Sequence, residues 1–480
     1  MKVSFGEWLP DLPALGNQGA TEAKNVLPRV ADYGEVRALS AVTSAVNSAC
    51  IGSVWARDSG GNVYNHSGTA TQLLELQGDA TWDNVSIAGN YTGAAAWEWT
   101  QLGNRMIACD IANATQYFDL GTSSLYANLS GAPKAAHVAT IGNFVVMGNI
   151  DDGTAYPSRL AWSGYNNSTL WTPSRATQSD TRDLHGRGGI IQRIVPGQYG
   201  IVFQENSIWA MTYTGPPTIF SLNELERGRG TQAPRSVCWS GGVIYYLGSD
   251  GFYRFTDHSE PISAERVSKW FFDKVDASSI PSVRGVVDRR NTVVIWSFKS
   301  DSTLAYSDNL IFYNWVANRW AWAEVNTEVV VDYLTTGVSL EDLDALITDI
   351  DSSSITLDSD AYKGGTISLA AFDTDHKLAT FNGTPLPACL ETGEFGELTR
   401  TIIRNVRPLV DGRNNVITVT SATRNRQDEN ETVGLPVSLN GIGEANFRAN
   451  ARYHRLKVDI SGGFDHAAGV DVEAHTGGRR

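Results

Sequence analysis

The sequence predicts an all-β chain: a β-propeller of six to eight blades, seven preferred, with an appended small β-sandwich platform domain. Three observations lead there. Short runs rich in β-branched and aromatic residues are stopped again and again by Gly, Pro, Asn and Asp turn signals. A turn-bounded unit recurs at the spacing of a propeller blade. The 14 Trp and 46 Gly among 480 residues suit many short strands joined by tight turns.

The stretch 188–262 shows the unit most clearly. Its apolar runs are Ile190–Val195, Gly200–Phe203, Ser207–Thr212, Val243–Leu247 and Phe252–Phe255, bounded by Pro-Gly, Gln-Glu-Asn, Gly-Pro-Pro and Ser-Asp-Gly. Runs this short, bounded in this way, read as strands of antiparallel hairpins. The last two are separated by Gly248-Ser249-Asp250-Gly251, and Asp-Gly is a strong tight-turn signal. Sheets built this way bury both faces only by stacking on one another.

Between residues 46 and 397 an aromatic or apolar residue followed by a turn former marks successive units. These are Tyr64-Asn65, Phe118-Asp119, Trp162-Ser163, Met211-Thr212, Phe255-Thr256, Tyr313-Asn314 and Phe381-Asn382. Their separations are 54, 44, 49, 44, 58 and 68 residues, and four-stranded blades repeat at roughly 40–50. The longest gap contains the acidic insertion 338–365, with Asp349, Asp351, Asp358 and Asp360 among its carboxylates. A helix is expected over 264–276 behind Ser263 as N-cap, because Val267, Phe271 and Val275 form one apolar stripe.

The ends differ from the body. Residues 1–45 hold two proline-fixed extended pieces, Phe5–Pro13 and Ala23–Pro28, that cannot support themselves. They read as an extended arm laid on another domain or subunit and counted with the C-terminal platform domain, with Phe5, Trp8 and Leu9 as candidate partner contacts. Residues 398–480 alternate at period two over Thr401–Arg407, Asn415–Thr420 and Tyr453–Ile460, the pattern of half-exposed antiparallel strands. That region is locally basic, and Arg404, Arg407, Arg452 and Arg455 are its candidate partner contacts.

Composition excludes several functions. A net charge of −14 disfavours a nucleic-acid groove binder. Cys50, Cys109, Cys238 and Cys389 are scattered without metal spacing and read as buried thiols. Acids and prolines near the start argue against a signal peptide, and no apolar run approaches a membrane span; synthesis and folding in a cytoplasm are expected. Gly228–Ala233 fits GxGxxA, but Pro234 follows and no helix opens to cradle a phosphate. Asp151-Asp152-Gly153, Asp349/Asp351 and Asp358/Asp360 lack full calcium-loop spacing. With no nucleophile elbow, zincin or P-loop motif, no catalytic residue, cofactor or metal is assigned, and His185, His258 and His454 read as surface histidines.

Three stretches together resemble one family, the nozzle or tail-tube proteins of short-tailed bacteriophages, including the phage stabilisation proteins. They are Trp8-Leu-Pro-Asp-Leu-Pro13 with Asn25-Val-Leu-Pro28; the series from Leu160-Ala-Trp-Ser163 through Gly200–Glu205, Thr214–Pro217 and Glu226–Gly230 to Trp270–Asp273; and Ala451–Arg455 with Ala468–Asp471. The resemblance implies a propeller body and a platform, closed into a homohexameric ring under the phage adaptor protein. It also implies tail fibre or tailspike and tail needle neighbours, a place in the virion tail, and no enzymatic activity. Double-stranded DNA would pass through the lumen without specific binding. Six copies at −14 carry about −84, and Asp349, Asp351, Asp358 and Asp360 are the lumen or tip candidates. Such a wall repels DNA over about 8 Å at physiological salt. The alternative is a tail propeller that binds or cleaves host-surface glycans, although sialidase-type Asp boxes are missing. A cellular scaffold propeller is a third reading, weakened by the missing GH…WD signatures.

Overall fold

The computed structural model describes residues 1–335, 367–412 and 415–477. They form a β-propeller with six free-standing four-stranded antiparallel blades. In chain order the innermost strands of the first five are Gly52–Arg57, Glu98–Leu102, Ala135–Ile141, Ile191–Val195 and Cys238–Ser240. The sixth has Val329–Leu334 innermost and takes its outer strand, Ser40–Ala45, from near the start of the chain. A further four-stranded unit, Arg284–Asp288 to Arg319–Thr327, stands between the fifth and sixth blades. Its innermost strand packs against both of theirs and completes the circle.

Stacking is what makes these strands stable, as no blade can bury its two faces alone. Five hydrophobic clusters each lie between adjacent blades, such as Ile141, Phe144, Trp162, Ile194 and Phe220 between the third and fourth. Gly200–Gln204 is therefore buried at every position and reads as a continuous apolar run. Six of the seven repeat markers fall at or just past the third strand of a unit; Tyr64 alone falls on a second strand.

The platform is one sheet curled on itself. It leaves the fused unit through the pairing of Lys24 with Trp322 and runs on through Ala388–Thr392, Ala445–Ser461, Phe395–Asp411 and His466–Thr476. It returns at Val26–Pro28, which packs against Arg319–Thr327. The enclosed core includes Phe5, Trp8, Tyr33, Val406, Leu456 and Val470.

Several sequence expectations need correction. Most of residues 1–45 do lie on the platform, one of the two expected places, but Phe5 and Trp8 are fully buried there and so are not partner contacts; only Leu9 is partly exposed. Lys2–Ser4 pairs with Gly469–Asp471, and Trp8 stacks edge-on against Trp270 at 4.7 Å. The boundaries at 45 and 397 move as well, since Ser40–Ala45 closes the sixth blade and Ala388–Thr392 belongs to the platform.

The helix, α1, spans Ser268–Lys274 rather than 264–276. Ser263 does not cap it. Its Oγ instead receives the Phe252 amide at 2.7 Å, while Asp11 accepts from the amides of Lys269 and Trp270, both at 2.8 Å. The early segment thus supplies the missing N-terminal acceptor, and its Glu7 pairs with Arg266.

Candidate functional site

The innermost strands enclose a cavity of about 390 Å³ at the propeller centre, the size of a small-molecule site. Two glycines let the first and second blades close on it. Gly52 and Gly68 face each other across a strand pair, and a Cβ on Gly68 would lie 2.3 Å from the Trp97 ring. Trp97 fills that space and donates to the Thr69 carbonyl at 3.0 Å.

Four charged side chains meet behind these rings. Glu98 opens the innermost strand of the second blade, Arg193 lies on that of the fourth, Arg235 sits in the turn Pro234–Ser236, and Arg284 opens the fused unit. Glu98 is 7% exposed, ion-paired to Arg193 and 3.0 Å from His137 Nδ1. Burial pushes its carboxyl up, but Arg193, His137 and Arg235 outweigh that and hold it at about 2. Burial pulls Arg284 down to about 9, and Arg235 adjoining it adds to the fall. Arg284 still donates to the Ile51 carbonyl at 3.0 Å. Arg235, also pulled down by burial, makes no hydrogen bond or ion pair among the described residues, and its Nε is enclosed without a partner.

Trp55, Trp99 and Trp239 complete the wall, with Trp55 Nε1 donating to Asp332 at 3.3 Å. The lining carries four arginines, Arg289 included, against Glu98 and Asp332. An acidic chain therefore has a basic interior. The arrangement suits binding more than bond breaking. Burial raises the Cys50 thiol to about 12 and also raises Cys109 and Cys238, so none is a ready nucleophile. All four cysteines are free and buried. Among the described residues no group of His, Cys, Asp and Glu could hold a metal ion.

The residues picked out by sequence do not meet here. Arg404 is exposed, Arg407 pairs with Glu444 at 2.8 Å, Arg452 is half-buried, and Arg455 is taken up by Glu391 and Glu431. Asp349, Asp351, Asp358 and Asp360 lie outside the described residues. Asp151 and Asp152 cap turns, accepting from the amides of Gly153 and Lys134. His454 is buried rather than superficial, 3.1 Å from the carbonyls of Thr401 and Ala451. Trp97, Trp99, Trp320 and Trp322, which as aromatics could also have served the side faces of a ring, are core residues apart from the half-buried Trp99.

Sequence reading missed Glu98, Arg193, Arg235 and Arg284 because almost two hundred positions separate the first from the last. The signal that could have found them is register: three of them lie on the innermost strand of a repeat unit. All innermost strands face one axis.

No protein-family model and no curated protein matches the chain. Among solved structures it is similar to YCF48 bound to D1 peptide, at 11% identity and TM-score 0.35, over 62% of this chain and 87% of that one. It is also similar to the selenomethionine-substituted virginiamycin B lyase from Staphylococcus aureus, at 10% identity and TM-score 0.39, over 60% and 88% of the two chains. Likenesses this distant carry neither protein's ligand nor its activity to this chain.

Proposed function

We propose that this chain is a structural subunit of a short-tailed phage tail, the nozzle that docks beneath the adaptor ring and surrounds the exit path of the genome. The observation that carries the reading is the platform. Both ends of the described chain are woven into it, and it is hydrogen-bonded to the propeller through Lys24 and Trp322 rather than tethered by a linker. A body and a base joined by one sheet transmit load without a hinge. The base also leaves apolar side chains uncovered: Leu398, Val416, Val433, Leu435 and Ile442 are 64–85% exposed. Such residues serve a surface that is covered on assembly.

In this reading the platform meets the adaptor and neighbouring copies, and side-to-side contacts close a sixfold ring. DNA runs along the axis of the ring, not through the small cavity of each propeller. Mixing the purified chain with the adaptor and imaging the product tests this. Sixfold rings are expected, weakened by Leu435→Asp and Val433→Asp. A chain that stays monomeric with its adaptor, together with virion averages lacking density for it, would end the proposal.

The tryptophans of the central cavity favour a second reading, glycan binding, because aromatic faces stack on sugar rings. A glycan array settles between the two: signal lost on Trp239→Ala would select it.

A further inference from the structure

We propose that the centre of the propeller is a binding site for a small oxyanion, a carboxylate or a phosphate, gripped by Arg235 and Arg284 with Arg193 beside them. The cavity wall carries an excess of positive charge, four arginines against Glu98 and Asp332. Arg193, Arg235 and Arg284 converge on Glu98, and that single carboxylate is already engaged by Arg193 and His137. None of the other nearby acids forms an ion pair with Arg235 or Arg284 among the described residues. Asp110 accepts from Ala95 N, Ala112 N and Asn113 Nδ2, and Glu328 from Cys50 N and His376 Nδ1. Asp332 accepts from Trp55.

The second point is an unmet donor. Arg235 is half-buried, with Nε enclosed and no hydrogen-bond partner, and the Nε of Arg193 is likewise enclosed and unpartnered. An enclosed N–H donor left without an acceptor is costly, and a planar fork of N–H groups fits a carboxylate or phosphate. The third point is access. Arg193, Arg235 and Arg284 line the cavity, and the exposed Arg289 and Ile367 stand on its wall, so an anion has room to enter. Trp99 and Trp239 offer faces for the body of a larger ligand. The site does not depend on the nozzle reading and adds to it a ligand-responsive centre in each subunit.

Tryptophan fluorescence of the full chain reports occupancy, because four indoles line the cavity. Inorganic phosphate, acetate and glucuronate are titrated separately against chloride at matched ionic strength. At least one should give a saturable change and a rise of about 1–3 °C in Tm. The acetate and phosphate arms identify the preferred anion, and glucuronate asks whether a sugar body adds affinity. Arg235→Gln should weaken binding at least about 10-fold, while its ligand-free Tm is no lower than that of the parent. In crystals soaked with selenate, an anomalous peak should lie between Arg235 and Arg284. No response beyond chloride, an equal response in Arg235→Gln, or selenate found only elsewhere would overturn the proposal.

Discussion

Replacing Glu98 by Gln keeps the shape of the side chain but takes away the carboxylate that Arg193 and His137 hold in the propeller centre. The carboxyl falls from its usual 4.5 to about 2 despite full burial. At about 1.4 kcal/mol per pH unit, that fall is worth about 3 kcal/mol. Breaking a buried ion pair from one side costs about 3–5 kcal/mol, which agrees. Unfolding entropy of about 2.1 cal/mol/K per residue gives about 1 kcal/mol/K for a chain of this length, so Tm should drop by about 3 °C. Thermal denaturation of Glu98→Gln beside the parent at pH 7 is the assay. The sign of the pH dependence adds a control. A carboxyl lowered by folding contributes fully above about 4.5, and its contribution fades as pH falls toward 2. The gap between parent and variant should therefore narrow steadily below pH 4.5. A Tm unchanged or raised at pH 7, or a gap that widens in acid, would refute an electrostatic role for Glu98.

Four further outcomes are expected. His66 is fully buried and desolvation lowers it to about 3, so folding favours its neutral form; the parent should lose about 2 kcal/mol between pH 6.5 and pH 5 on this account, and His66→Gln should lose less in a pH-resolved melt. Trp8→Ala should cost about 3–5 kcal/mol in the isolated chain, and Asp11→Ala about 1 kcal/mol through the lost cap on α1; equal melting of parent and Trp8→Ala without a partner would restore the early segment as an intermolecular arm. No thiol should react with a disulfide reagent in the folded chain, and four should react in denaturant, since every cysteine is buried and free; one fast native thiol would contradict the packing around it.

How far the sequence can be read depends on how local each cause is. Strands such as Val243–Leu247 and Phe252–Phe255 emerge as expected because composition and an Asp-Gly turn decide them within a dozen residues. The blade repeat is equally legible, as it places an aromatic or apolar marker at or just past the third strand in every unit but the first. The stripe Val267, Phe271, Val275 locates α1, but its start was misplaced because the capping carboxylate, Asp11, is more than 250 residues away. Trp8 illustrates the same limit. A tryptophan between prolines looks like an exposed anchor until the sheet that buries it is assembled from Ala20–Lys24, Ala388–Thr392 and Ala445–Ser461.

Taken alone, the amino-acid order determined an all-β chain of stacked repeats with a distinct C-terminal region and without a recognisable catalytic motif, since periodicity, turn residues and composition act over short distances. Only the tertiary structure decided that Ser40–Ala45 completes the sixth blade, that Phe5 and Trp8 are buried in the platform core, and that Glu98 meets Arg193, Arg235 and Arg284 on one axis. Closing a ring of sheets brings together residues that no local pattern connects: burial at its centre lowers Arg235 and Arg284, while the arginines gathered there hold the Glu98 carboxyl well below its usual range.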